Sequence, residues 1–307
     1  MLKKTEEWSI EAIWGKIACV SWGDPGNFPV LMVHGHMDTA ATFIPIVQHL
    51  PDKYYYVAID LPGHGKSDPF PVGPLISQAH HMVAIQLVIQ HLKWEAFVYM
   101  AHSSGFIIGI LYNYIYPNRI SKMVNLDPPP PLSMNCFPDY SPNLWYQYFY
   151  DDYYENYSRW ELEHSKEYSY EQAINLLVRS RKLSKEQSAV VLSRTLVPVG
   201  NGKYRLSWEP RMKKVVAIPM TEEMLIKIAT TNAPAMLNIV ASIDETFEML
   251  KERGDHLMKR LQESIPVFIV INVTGTHDIH ITKPEAFVDK INDFLNSDIK
   301  TKRLAKL

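Results

Sequence analysis

Trp94-Glu-Ala-Phe-Val-Tyr-Met100, Ala101-His102-Ser103-Ser104-Gly105 and Phe106-Ile-Ile-Gly-Ile-Leu-Tyr-Asn-Tyr-Ile-Tyr116 follow one another without a break, and their succession decides how the chain is read. The first run is short, apolar and rich in strand formers. The last is apolar and long enough for three helical turns. A serine flanked by small residues between strand and helix fits the pattern Gly-x-Ser-x-Gly, with Ala101 in place of the first glycine. The requirement is steric. The turn holds the serine in a strained backbone conformation, so residues two positions away must be small for helix and strand to pass closely. Ala101 and Gly105 satisfy this, whereas Phe106, where a further small residue often follows, does not contribute. Taken alone, Ser103-Ser104-Gly105 reads first as a helix cap. A catalytic role for Ser103 depends on what the rest of the chain brings to it.

Composition narrows the possibilities. With 307 residues, 47% of them hydrophobic and 21% charged, the chain has the make-up of a soluble globular protein of one large or two smaller domains. A net charge of −2 offers no electrostatic case for nucleic acid or an anionic membrane as partner. Cys19 and Cys136 lack metal-like spacing and point to a reducing compartment without a disulfide framework. The first residues lack the apolar centre of a signal peptide, and no run approaches about 18 uninterrupted apolar residues, so no membrane span is expected. The tail Arg303-Leu-Ala-Lys-Leu307 ends in a conservative variant of the peroxisomal Ser-Lys-Leu address, preceded by Lys300 and Lys302. That predicts a cytoplasmic or peroxisomal protein with an import receptor as a partner; the alternative is a frayed basic end.

Outward from Ser103, strand and helix patterns alternate. Residues 8–22 form a hairpin-like entry around Trp14-Gly15, and Pro29-Val-Leu-Met-Val33 is the unbroken apolar run of a strand buried on both faces. It ends in His34-Gly35-His36-Met37. Thr42 to Leu50 reads as a helix, Tyr54 to Ile59 as a buried strand, Asp60 to Ser67 as a glycine-rich turn and Pro74 to Leu92 as a helix. Ser121 to Leu126 is a strand closing on Asp127. This alternation predicts a doubly wound α/β sheet. After Pro128 to Pro131 it stops: no buried strand is evident to Asn232, only helical segments such as Tyr170 to Lys182 and Thr221 to Thr230, and an aromatic stretch from Trp145 to Trp160. Strands return at Met236 to Val240 and Val267 to Val273, with a last helix near Pro284 to Leu295. The expected organisation is a mostly parallel eight-stranded core, 1–127 and 235–307, with an all-helical cap, 128–234, inserted after the sixth strand.

Several features then fall where one mechanism needs them. The backbone N–H of His36, after the first buried strand, and that of Ser104, at the helix start, would form an oxyanion hole beside Ser103. The last strand is followed by Gly275-Thr276-His277-Asp278-Ile279-His280, and His277, seven residues before Pro284, occupies the place of a general base. His280 is expected to be a packed neighbour. His34, Met37 and His102 are candidates to line a substrate pocket, joined by Trp145 and Trp160 from the aromatic stretch, which otherwise reads as cap core.

On these residues the chain resembles the α/β-hydrolase-fold superfamily, and within it is similar to the serine-hydrolase-like proteins of animals. The resemblance is carried by Trp14-Gly15, His34-Gly35, Leu50-Pro51 with Tyr54 to Asp60, Gly63-His64-Gly65, Leu92-Lys93-Trp94, Asn125-Leu126-Asp127 and Gly275 to His280. It spans nearly the full length and is thin in the cap. It implies a hydrolase, with a vesicular or peroxisomal association. In most of the superfamily the triad acid follows the seventh strand in a Gly-x-x-Asp pattern, met here by Ala241-Ser-Ile-Asp244. In a minority, including haloalkane dehalogenases and coelenterazine luciferases, it follows the sixth, which here is Asp127. Asp244 is preferred and Asp127 remains the alternative.

The resulting expectation is a cofactor-independent serine esterase without a metal, acting on a small apolar carboxylic ester through Ser103, His277 and one of the two aspartates. The resemblance leaves two other readings open. One is a cofactor-free dioxygenase, in which the histidine–aspartate pair deprotonates the substrate and the serine is only a hydrogen-bond partner. The other, suggested by Ala101 and Phe106 in the serine turn, is a non-catalytic binder of an apolar ligand.

Overall fold

A computed structural model describes residues 3–137, 141–242 and 248–298. The runs read as buried strands are buried along their length: β4 (Tyr54–Ile59) and β5 (Phe97–His102) expose no residue, as strands covered on both faces require. With β1 (Thr5–Ala12), β2 (Gly15–Trp22), β3 (Phe28–Val33) and β6 (Ile120–Leu126) they begin the main sheet. β7 (Tyr168–Ser169), β8 (Leu196–Gly200) and β9 (Lys203–Leu206) pair separately, and β10 (Ala235–Ala241) and β11 (Phe268–Val273) complete the main sheet. Its order is β1-β2-β4-β3-β5-β6-β10-β11, eight strands among the described residues. The entry hairpin and the β2–β4 pair are antiparallel; every other pairing is parallel. The doubly wound α/β expectation is met.

Side chains alternate across this sheet with period two. Leu31 and Val33 enter one apolar cluster, with the helices Gln78–Leu92 and Gly105–Ile115, while Val30 and Met32 enter the other, with the helix Val288–Asn296. The Gly105–Ile115 helix is buried from Gly105 through Asn113, which explains why its sequence is apolar on every side. Strand order reverses about β3, whose neighbours are β4 and β5. At such a switch point the loops leaving the carboxyl ends of the strands diverge and open a crevice. The turns after β3 and β5 flank that opening.

The inserted segment differs from its expected form. It is helical for the most part, but β7, β9 and β8 make a small antiparallel sheet between residues 168 and 206. These strands are short and only partly buried, so no apolar run announces them. The helices Pro129–Asn135 and Glu222–Thr230 pack on the helices Glu248–Ser264 and Gly105–Ile115, and so join the layer that covers the sheet. The helix expected over Thr42 to Leu50 is a 3-10 turn, Ala40–Phe43, followed by a single α turn, Ile44–Val47, with proline in its first turn. Cys19 and Cys136 are both buried and free. Among the described residues no helix is long and apolar enough to cross a membrane. Asp244 and the tail Ala305-Lys306-Leu307 lie outside the described residues.

Helix and strand meet most closely at Gly105. A Cβ there would stand 2.5 Å from the carbonyl oxygen of Val33 and 3.0 Å from that of His34. Both are backbone atoms at the end of the central strand and cannot swing aside. Gly105→Ala is therefore expected to destabilise the protein by about 1–3 kcal/mol, read as a lower urea midpoint with unchanged slope. An unchanged midpoint would show that the two elements are free to separate.

Candidate active site

Ser103 has φ +50°, a left-handed conformation rare for any residue but glycine. Three contacts hold it there. Its N–H donates to the Leu126 carbonyl at 3.0 Å, its carbonyl accepts from Phe106 N–H at 2.9 Å, and Gly35 packs against its side chain so tightly that a Cβ on Gly35 would lie 2.9 Å from the Ser103 Cβ. Ser104 stands at the N-cap of the helix Gly105–Ile115 without a side-chain capping bond, and the dipole of that helix favours negative charge nearby.

Asp127 leaves β6 in the same way. Its φ is +51°, its N–H donates to the Ile239 carbonyl at 2.7 Å and its Oδ1 accepts the Ala241 N–H at 3.0 Å. Its Oδ2 accepts a 2.5 Å hydrogen bond from His277 Nδ1. With Nδ1 keeping its proton and donating it as a hydrogen bond to the carboxylate, Nε2 of the neutral ring carries the lone pair. Burial opposes charge on His277, but the hydrogen bond and the negative charge of Asp127, helped by Asp278, outweigh it and raise the pKa above that of an ordinary histidine. Among the described residues the carboxylate bonded to His277 is that of Asp127, the alternative acid; the preferred Asp244 lies outside them.

Ser103, Ser104, Asp127 and His277 line one cavity of about 810 Å³, together with His36, Met37 and His102. His102 Nε2 donates to the His277 carbonyl at 3.2 Å. Three of the residues expected on the pocket wall are elsewhere. His34 is buried beneath it, with Nδ1 bonded to the Gly35 carbonyl at 2.7 Å and Nε2 accepting the Leu61 N–H at 3.0 Å. Trp145 donates to the Ala217 carbonyl at 3.3 Å and packs on Phe149 and Tyr150, and Trp160 is buried against Tyr153. The inserted segment lines the cavity instead through Phe149, Leu177, Val191, Leu192, Trp208 and Val215. Tyr148 and Phe149 of the aromatic stretch both line the cavity, but which rings of that stretch face inward is set by helix phase and packing.

His280 is buried and bonded to Thr42 Oγ1 through Nε2 at 2.5 Å. It lies with Asp38, His102 and Asp278 in a group whose ligand-type atoms come within 4.8 Å of one another. Both carboxylates of that group are bonded to the guanidinium of Arg181, so the positive charge they face is an arginine. Asp38 shows the effect: burial alone would raise its pKa, yet the charge and hydrogen bonds of Arg181 hold it far below the carboxylate range. Neither Arg181 nor the two aspartates stood out in the sequence, since their bonds span 143 and 97 residues.

Comparison with known proteins agrees with this architecture. A family model described as the alpha/beta hydrolase fold matches residues 29–188. The chain is 27% identical to a serine hydrolase-like protein of Danio rerio over 96% of this chain and 90% of that one. It is 26% identical to serine hydrolase-like protein 2 of Homo sapiens over 92% of this chain and 91% of that one. Among solved structures, a hypothetical protein from Pseudomonas aeruginosa PAO1 superposes with a TM-score of 0.78 at 21% identity, over 94% of this chain and 98% of that one. From the sheet order, the turn at Ser103 and the matched half of its length, the chain belongs to the alpha/beta hydrolase fold family.

Proposed function

We propose that this chain is a cofactor-independent serine hydrolase that cleaves a carboxylic ester, with Ser103 as nucleophile, His277 as base and Asp127 as the acid behind it. The observation that carries the proposal is the Asp127–His277 hydrogen bond in the same cavity as a serine held at φ +50°. The names of the relatives in Danio rerio and Homo sapiens support the same class.

In this reading Ser103 Oγ attacks the ester carbonyl while His277 Nε2 takes its proton. The backbone N–H groups of His36 and Ser104 receive the oxyanion. His277 then returns the proton to the departing alkoxide. Water, deprotonated by the same nitrogen, releases the acid and restores the serine. Asp127 fixes the ring tautomer and stabilises the imidazolium at each stage. Segment 128–234 serves as the cap, and its apolar residues on the cavity wall favour an apolar acyl or alcohol group. One observation favours a second reading: among the described residues Ser103 Oγ makes no hydrogen bond to His277, as in an oxygenase whose base acts directly on the substrate. In unliganded sites this contact is commonly long and tightens only with substrate, so hydrolysis is the preferred reading.

Ser103→Ala is expected to lower turnover of p-nitrophenyl acetate by at least about 10³-fold and to abolish labelling by a fluorophosphonate. Retained turnover removes Ser103 as nucleophile, and oxygen uptake with an unlabelled Ser103 points to the second reading. The raised pKa of His277 has its own consequence. Below that pKa the imidazolium cannot accept the serine proton, so kcat/KM should fall on the acid side with a midpoint above about 6.5. Asp127→Asn removes both the bond and the charge that raise it, so the limb should move to lower pH while kcat drops by about 10⁴-fold. A limb unmoved in Asp127→Asn would mean that another group controls it.

A further inference from the structure

Arg181 ends the helix Tyr170–Arg181 of the inserted segment, and its guanidinium lies between two carboxylates of the core. Nε donates to Asp278 Oδ2 at 2.9 Å, Nη1 to Asp38 Oδ1 at 3.2 Å, and Nη2 to Asp38 Oδ2 at 2.9 Å and Asp278 Oδ1 at 2.5 Å. Asp38 and Asp278 are 4% and 6% exposed, each touching the cavity wall with little of its surface, so the guanidinium is the main partner of either charge. The two belong to different loops. Asp278 directly follows His277. Asp38 stands two residues after His36, on the turn that packs against Ser103 through Gly35.

We infer that Arg181 is a positioning residue for the hydrolysis proposed above, its fork holding the His277 loop and the His36 turn at one separation on either side of Ser103. The inference rests on that reading of Ser103 and His277. Arginine suits the task because its planar donors fix the direction as well as the distance of each carboxylate. Arg194 provides the contrast. It fastens the same segment to Asp60, with Nε and Nη2 at 3.0 and 2.7 Å from Oδ2, and Asp60 does not line the cavity. Attachment of the segment therefore does not rest on Arg181 alone.

The groups facing His277 are Asp127 from the end of β6, His102 from the end of β5, Asp278 and His280 from its own loop, and Arg181 from the inserted segment. Removing Arg181 takes away a cation and releases the charge of Asp278. Both changes favour the imidazolium.

The test uses the full chain with Arg181→Met, Arg181→Lys and Arg194→Met, measuring p-nitrophenyl acetate kinetics, thermal stability and the His277 titration by NMR. Arg181→Met is expected to lower kcat by about 30-fold or more with KM changed less than about threefold, and to move the His277 midpoint to higher pH. Arg181→Lys should restore the midpoint, because it restores the charge, yet leave kcat low without the fork. Arg194→Met should lower Tm with kcat within about threefold of the parent.

A kcat unchanged in Arg181→Met with the His277 midpoint unmoved, or an equal loss of kcat in Arg194→Met, would overturn the inference and leave Arg181 as an attachment point. Should Arg181→Met not fold, the triple variant Asp38→Asn, Asp278→Asn, Arg181→Met leaves no buried charge in the triad; a parent-like kcat there overturns the inference and a reduced one upholds it. A parent chain that neither turns over the ester nor reacts with the fluorophosphonate sinks the hydrolase reading by itself. The titration in Arg181→Met then still decides whether Arg181 governs the imidazole, and an unmoved midpoint counts against it.

Discussion

The parallel register of β5, β6 and β10 is the constraint from which the site follows. His102 lies level with Leu126, and Leu126 with Ile239. Each ladder continues one bond past its strand, from Ser103 N–H to Leu126 and from Asp127 N–H to Ile239. Ser103 and Asp127 thus leave the sheet from neighbouring strand ends, about 4.8 Å apart in the pairing direction. Both are left-handed, so the chain turns sharply at each and presents the side chain at the carboxyl edge. A one-residue slip in either pairing would reverse which residues face the core, and the apolar clusters on the two faces oppose such a slip.

Charge is the second constraint. Asp38, Asp60, Asp127 and Asp278 are all buried, and each meets an arginine or an imidazole. Both arginines, Arg181 and Arg194, come from the inserted segment. Removing one partner of a buried pair costs about 3–5 kcal/mol, so the segment is fastened to the core at two defined points as well as by apolar contact. The histidines divide along the same line. Burial pushes His34, His64, His81, His102 and His280 below the ordinary histidine value, His81 and His280 to about 3. His277 is raised, because it alone among these has a carboxylate bonded to its ring. Six rings of one residue type thereby acquire two behaviours from their surroundings.

What could be read from the sequence was what depends on near neighbours along the chain. An unbroken run such as Val30–Val33 reports a strand covered on both faces, and an apolar run such as Phe106–Ile115 reports a buried helix, because each pattern is repeated within a few residues. Ser103 between small residues, and His277 on the loop after the last strand, were legible for the same reason. The small sheet of β7, β9 and β8 was not, since short, half-exposed strands leave no apolar period.

The tertiary structure decided which distant side chains meet. Asp127 lies 150 residues from His277, and nothing local marks the two as bonded. Arg181 finds Asp38 and Asp278, His34 turns into the backbone beneath the cavity, and Trp145 and Trp160 pack within the inserted segment while Phe149 and Trp208 reach the wall. Backbone pattern is local and survives in the sequence. The direction of a side chain, and the charge it is paired with, exist only once the sheet has set its register and the inserted segment has docked.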